Sequence, residues 1–259
     1  MAEKHETVRR FGRSNAATFD DGPGKYRIGL VALSNDYVTE RDFMNMRPDD
    51  DVVIYTSRLA NAPDCSLTSL REMAPRITEA TSLLVPEGRL DVVAYSCTSG
   101  TAVMGYERVQ ELVHAGRPDV AFSTPLTASL AGLGRFSVRR VAVLTPYTDE
   151  VNDVIASNIE ASGIEIAEFN SFNLSDNELM ARITPDSIVR SALELDTSTA
   201  DALFISCTAI RAVEVIEIIE AKIKKPVITA VQALFWQSLR LAGYDKPVPG
   251  YGRLLRLSQ

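Results

Sequence analysis

Short apolar runs rich in β-branched residues alternate along almost the whole chain with longer stretches in which apolar residues recur every three or four positions. The runs predict strands at 26–33, 52–56, 90–95, 120–122, 140–144, 164–169, 202–205 and 226–229. The longer stretches predict amphipathic helices at 69–84, 101–114, 149–161, 188–195, 209–223 and 233–242. Strand followed by helix, repeated, predicts parallel sheets covered by helices on both faces, with any site at the carboxyl ends of the strands.

The order of these elements is duplicated. The strand ending in Ser34-Asn35 is matched by the one ending in Thr145-Pro146-Tyr147, and the strand ending in Ser96-Cys97-Thr98 by the one ending in Ser206-Cys207-Thr208. The interval from Asn35 to Tyr147 is nearly that from Cys97 to Cys207. Two similar α/β halves with parallel sheets, related by a pseudo-twofold axis, would bring these strand ends to one cleft between them. On this reading residues 1–25 form an N-terminal extension, 26–120 plus about 226–259 the first half, and 121–225 the second.

Composition narrows the function. The chain has 259 residues, 46% of them apolar, and 27 Lys plus Arg against 34 Asp plus Glu give a net charge of −7. Without a basic block there is no electrostatic footprint for nucleic acid or an anionic membrane, and neither is expected as a partner. No apolar run reaches membrane-spanning length, residues 1–21 lack the apolar centre of a secretion signal, and Cys65, Cys97 and Cys207 form no C-x-x-C pair. A cytoplasmic protein with free thiols is expected. With His5 and His114 as its two histidines, the chain assembles no metal cluster, and His114 near a helix end suits the helix dipole. Gly22-Pro23-Gly24-Lys25 precedes a strand instead of following one, so it makes no phosphate-binding loop. Neither a metal nor a cofactor is predicted.

The repeated Ser-Cys-Thr turn carries the candidate chemistry. A cysteine between a strand and a helix N-terminus meets unpaired backbone N–H groups and the positive end of the helix dipole, which lowers the thiol pKa and favours a bound anion. Two facing thiols, one ionised and one protonated, form an acid/base pair acting on opposite faces of a carbon acid. Buried cysteine also serves as a small hydrophobe, but packing alone does not ask for the same turn twice. Cys65 has no counterpart and is given no role.

With Ser34-Asn35, Cys97-Thr98-Ser99, Thr145-Pro146-Tyr147, Asn177 and Cys207-Thr208, the chain resembles the Asp/Glu racemase superfamily and, within it, the maleate cis–trans isomerase branch. Stretches such as Thr39-Glu40-Arg41-Asp42-Phe43 are most similar to the ectoine-utilisation proteins of that branch, although Val231 replaces the usual Asn before Gln232-Ala233. The resemblance implies a cofactor-independent racemase or cis–trans isomerase of a small carboxylate, either a maleate-like dicarboxylate or an ectoine-derived amino acid, working as a homodimer. It implies Cys97 and Cys207 as the catalytic pair and Asn35, Thr98, Ser99, Tyr147, Asn177 and Thr208 as substrate-binding residues. Asn35 reads equally as a helix cap, Tyr147 as a core aromatic and Asn177 as an ordinary helix start. A non-catalytic ligand-binding or regulatory protein on the same fold, and a thiol redox sensor, are the alternatives.

Overall fold

The computed structural model describes residues 11–12 and 17–258, so most of the expected N-terminal extension lies outside the described residues. The chain runs through β1 (Tyr26–Leu33), α1 (Thr39–Met46), β2 (Val52–Leu59), α2 (Leu67–Glu72), α3 (Ala74–Ser82), β3 (Val92–Tyr95), α4 (Thr98–Met104), α5 (Tyr106–Gly116), β4 (Ala121–Ser123) and α6 (Pro125–Arg135). A second series follows with β5 (Arg140–Tyr147), α7 (Asp149–Ala161), β6 (Glu165–Leu174), α8 (Asn177–Ala181), α9 (Pro185–Glu194) and β7 (Ala202–Ile205). It closes with α10 (Ile216–Ile223), β8 (Val227–Thr229), α11 (Ala230–Leu241) and α12 (Gly252–Leu255).

All strands pair in parallel, and the two sheets share one plan, β2-β1-β3-β4 and β6-β5-β7-β8. In both, the chain leaves the first central strand toward one edge and the second toward the other. A crevice therefore opens where the central strands end, the usual ligand position in such sheets. β3 and β7 are buried at every residue, which explains their continuous apolar runs.

The expected half boundaries at residue 120 and about residue 226 each fall one strand early. β4 pairs with β3 in the first sheet and β8 with β7 in the second, so these short strands stay with the sheet that precedes them. The crossing happens one element later. Helix α6, which leaves the first sheet, packs against β8 of the second, and α11, which leaves the second, packs against β3 and β4 of the first. The two exchanged helices also pack on each other. Most of α11 is buried, and Phe235 meets Phe43 of α1 edge to face at 4.9 Å. At roughly 1.5–3 kcal/mol per fully buried large apolar side chain, Leu234, Phe235 and Leu239 hold it firmly in place.

Three predicted helices are interrupted. The expected 69–84 helix splits where Pro75 enters the first turn of α3. The 101–114 helix splits at Gly105, whose φ of +86° suits glycine. The 209–223 helix begins only at a single 3-10 turn, Val213–Val215.

Candidate active site

In the first half, β3 runs out into Ser96 and Cys97. Cys97 is extended, with φ −147° and ψ 109°, and its Sγ accepts from the Gly100 amide at 3.2 Å, taking the position a serine or aspartate oxygen usually holds at a helix start. The thiol therefore sits at the N-terminus of α4, as the sequence predicts. Cys207 does not share this setting. It has φ +97°, a conformation costly for a residue with a side chain, and it opens a loop instead of a helix. Its Sγ accepts from the Ala209 amide at 3.3 Å.

The two Ser-Cys-Thr turns meet. The Thr208 hydroxyl donates to the Ser96 carbonyl at 3.3 Å across the halves. Ser96 Oγ donates to Thr39 Oγ1 at 3.0 Å, and that oxygen lies 3.5 Å from the Thr208 carbonyl. Tyr147 ends β5, next to β7 in the sheet, and its buried hydroxyl reaches Cys207.

A strap, residues 60–66, crosses from the first half to the second. Asp64 pairs with Asp176 as an antiparallel bridge, the Cys65 amide donates to the Ser175 carbonyl at 2.7 Å, and the Asn177 amide donates to the Pro63 carbonyl at 3.0 Å. The side chains of Asn35 and Asn177, one from each half, both donate to the Ala62 carbonyl, at 3.3 and 3.4 Å. Asn61 of the strap donates to Asn35 Oδ1 at 2.8 Å. Beneath the strap lies a cavity bounded by Leu33, Leu70, Met73, Cys97, Ser99 and Asn177, with about 10 Å³ of free volume. That is room for roughly one water molecule. A larger hollow of about 620 Å³ between α7 and β6 is lined by Asn152, Phe169, Asn170 and Ser171 among others and is bordered by none of the cysteines.

Burial sets the ionisation of the site. It pushes the Cys97 thiol up, against the Gly100 amide and the Ser99 hydroxyl, which favour the thiolate. It pushes Cys207 up to about 12, against the Tyr147 hydroxyl and the Ala209 amide. The expected lowering at a helix N-terminus is thus outweighed by desolvation. Charge on Cys97 raises Cys207 further, so one thiolate beside one thiol is the favoured ionised form. The Tyr147 phenol, also raised by burial, remains a donor. Thr98 Oγ1, Ser206 Oγ and the Tyr95 hydroxyl are buried without a hydrogen-bond partner, although buried polar groups ordinarily have one.

Against this geometry, the family model described as arylmalonate decarboxylase matches residues 59–255. The chain belongs to the arylmalonate decarboxylase family. Among curated members, a maleate isomerase of Nocardia farcinica is 27% identical over 244 residues, covering 90% of this chain and 96% of the relative. An arylmalonate decarboxylase of Bordetella bronchiseptica is 33% identical over 135 residues, 51% of this chain and 56% of the relative. A solved structure of a Nocardia farcinica maleate cis-trans isomerase variant, carrying a covalently bound succinylcysteine intermediate, matches with a TM-score of 0.82 at 24% identity, covering 89% of this chain and 98% of that one.

In this family member Cys97, Ser99 and Asn177 line one cavity, Asn35 and Asn177 meet on the strap, and Thr208 bridges to the first turn. Thr98 lies in the first turn of α4, its hydroxyl buried and unpaired. Asn35 does not cap α1, because Asp36 accepts from the Val38 and Thr39 amides at 2.7 and 2.9 Å. Asn177 is the first residue of α8, as the helix-start reading has it, with Asp176 as the cap accepting from the Leu179 amide at 2.8 Å. Sequence reasoning did not place Asn61, Tyr95 or Cys65 beside the site. Cys65 is buried with its Sγ 3.5 Å from Ser99 Oγ, which in turn lies 3.8 Å from Cys97 Sγ. No repeat or motif marks the strap, so only its tertiary contacts reveal Asn61 and Cys65. Among the described residues, no group of three or more His, Cys, Asp or Glu side chains is placed to hold a metal ion.

Proposed function

We propose that this protein is a cofactor-independent isomerase of a small carboxylate, with Cys97 as nucleophile and Cys207 as proton donor and acceptor. The observation that carries the reading is the meeting of two buried cysteine turns, one from each half, joined by the Thr208 to Ser96 hydrogen bond. Cys97 stands at the N-terminus of α4, where the Gly100 amide and the Ser99 hydroxyl favour its thiolate, and this makes it the nucleophile of the pair. Its thiolate adds to one alkene carbon of a cis-enoic acid, and the electron pair released to the neighbouring carbon takes the Cys207 proton. The new single bond rotates. Cys207 then removes a proton, the C–S bond breaks, and the trans acid leaves with both thiols as they began. Asn35, Asn177, Tyr147 and the amides at Thr98, Ser99 and Thr208 supply donors for the carboxylate and for the enolate charge that develops beside it.

The maleate isomerase relatives, matched over nearly their whole length, support this class, as does the cysteine adduct described for the Nocardia enzyme. A decarboxylation needs one protonating thiol, and the second cysteine turn favours isomerisation. Three free thiols suit a reducing cytoplasm, where we place the protein. NMR of maleate, aspartate, glutamate and ectoine-derived diamino acids in deuterium oxide tests the reading. Maleate is expected to convert to fumarate, and Cys97→Ser and Cys207→Ser each to slow turnover at least about a hundredfold with the fold intact. Absence of both isomerisation and α-proton exchange with every one of these acids would overturn it.

A further inference from the structure

Tyr95 ends β3 and Cys97 caps the start of α4, with the chain turning tightly between them as the Cys97 amide donates to the Tyr95 carbonyl at 3.2 Å. Their side chains converge over Gly100. A Cβ placed on that glycine would lie 2.8 Å from Cys97 Sγ and 2.9 Å from the Tyr95 hydroxyl, so the two polar atoms crowd one point that only a bare Cα leaves open. The phenol is fully buried, its oxygen makes no well-formed hydrogen bond in the resting site, and Cys97 Sγ is the polar atom it faces. A buried hydroxyl without a partner destabilises a fold, and phenylalanine would pack the same ring without that penalty. Cys207 also has a phenol at hand, but it comes from Tyr147 on the neighbouring strand.

We propose that Tyr95 is a positioning residue for Cys97, whose hydroxyl turns onto Sγ and donates to it once the thiol has lost its proton. The thiol proton goes to solvent base, the phenol keeps its own, and no covalent bond at the tyrosine changes. Burial holds the phenol protonated across the working range, as a donor must be. A hydrogen bond to a charged acceptor is stronger than one to a neutral acceptor, so the contact favours the thiolate over the thiol. Gly100 is then fixed by chemistry as well as by space, because a side chain there would part the two atoms.

The functional meaning of this contact rests on the two-thiol reading above, but its test needs no substrate. The full-length protein is alkylated with iodoacetamide across a pH series, and the rate at Cys97 is read by peptide mapping. At about pH 8.5, Tyr95→Phe is expected to slow that rate roughly tenfold, equal to about one pKa unit, with the two curves converging once the thiol is fully ionised. The thermal midpoint stays level or rises. Gly100→Ala, which inserts a methyl between phenol and thiol, shifts the curve the same way and serves if Tyr95→Phe does not fold. Superimposable curves, or a rate lowered equally at every pH, would overturn the proposal, since the second result reports access alone. If maleate proves to be turned over, kcat falls in Tyr95→Phe with KM little changed. If no acid is turned over, the function fails while the alkylation curves still decide the role of Tyr95.

Discussion

At the end of β1 the Asp36 carboxylate accepts from the Val38 and Thr39 amides and the Thr39 hydroxyl, while the neighbouring Asn35 side chain reaches away to Ala62. The two substitutions therefore separate stability from function. Asp36→Ala is expected to cost about 1 kcal/mol in urea unfolding, the usual loss for a helix-start carboxylate. Asn35→Ala should move that midpoint less but lower kcat/KM about ten- to a hundredfold, the range for a lost donor to a charged group. Equal effects of both on unfolding, with normal turnover in Asn35→Ala, would leave Asn35 a strap anchor only.

At the scale of elements, the strap over residues 60–66 closes the cavity, and about 10 Å³ leaves no space for a four-carbon acid. Binding such an acid beside Cys97 is therefore expected to need the strap to lift from the second half. Replacing the bridge partners Asp64 and Asp176 with cysteines allows a disulfide across that contact. Oxidised Asp64→Cys/Asp176→Cys protein is expected to lose turnover and recover it on reduction, and full activity when oxidised would show that the strap need not move. This strap is also where sequence reading ends. Strands β1 and β7 and helix α7 fall where periodicity puts them, because each is a continuous run packed on its own sheet. The two cysteine turns are legible because a duplicated motif stands out against unrelated surroundings. Asn61 and Cys65 occupy an irregular segment whose partners lie more than twenty-five positions or a whole half away, and no periodicity encodes such contacts. The helical reading of 209–223 fails because the left-handed backbone at Cys207 sends the chain into a loop before it can coil.

Across the whole molecule, Arg41 of α1 pairs with the buried Asp42 beside it and with Glu214 of the second half, both at 2.7 Å. Burial pushes the Asp42 carboxyl up to about 6, and its Oδ2 has no partner. A carboxyl raised in the folded state contributes stability that is fully present below its unfolded value of about 4 and is lost as pH rises through about 6. Asp42→Asn should remove that slope and raise the unfolding free energy at pH 8 by about 1–3 kcal/mol, with little change at pH 4. An unchanged difference between the two pH values in urea titrations would refute it.

The exchange of α6 and α11 between the sheets has a consequence for how such a chain diversifies. A duplicated ancestor could in principle trade one half for a foreign copy, as beads on a string do. Here each half completes its own layer with a helix encoded next to the other, so a recombination cut anywhere between β4 and β8 would hand one sheet a stranger's cover. The halves are bound to drift together, each constrained by a helix it does not encode.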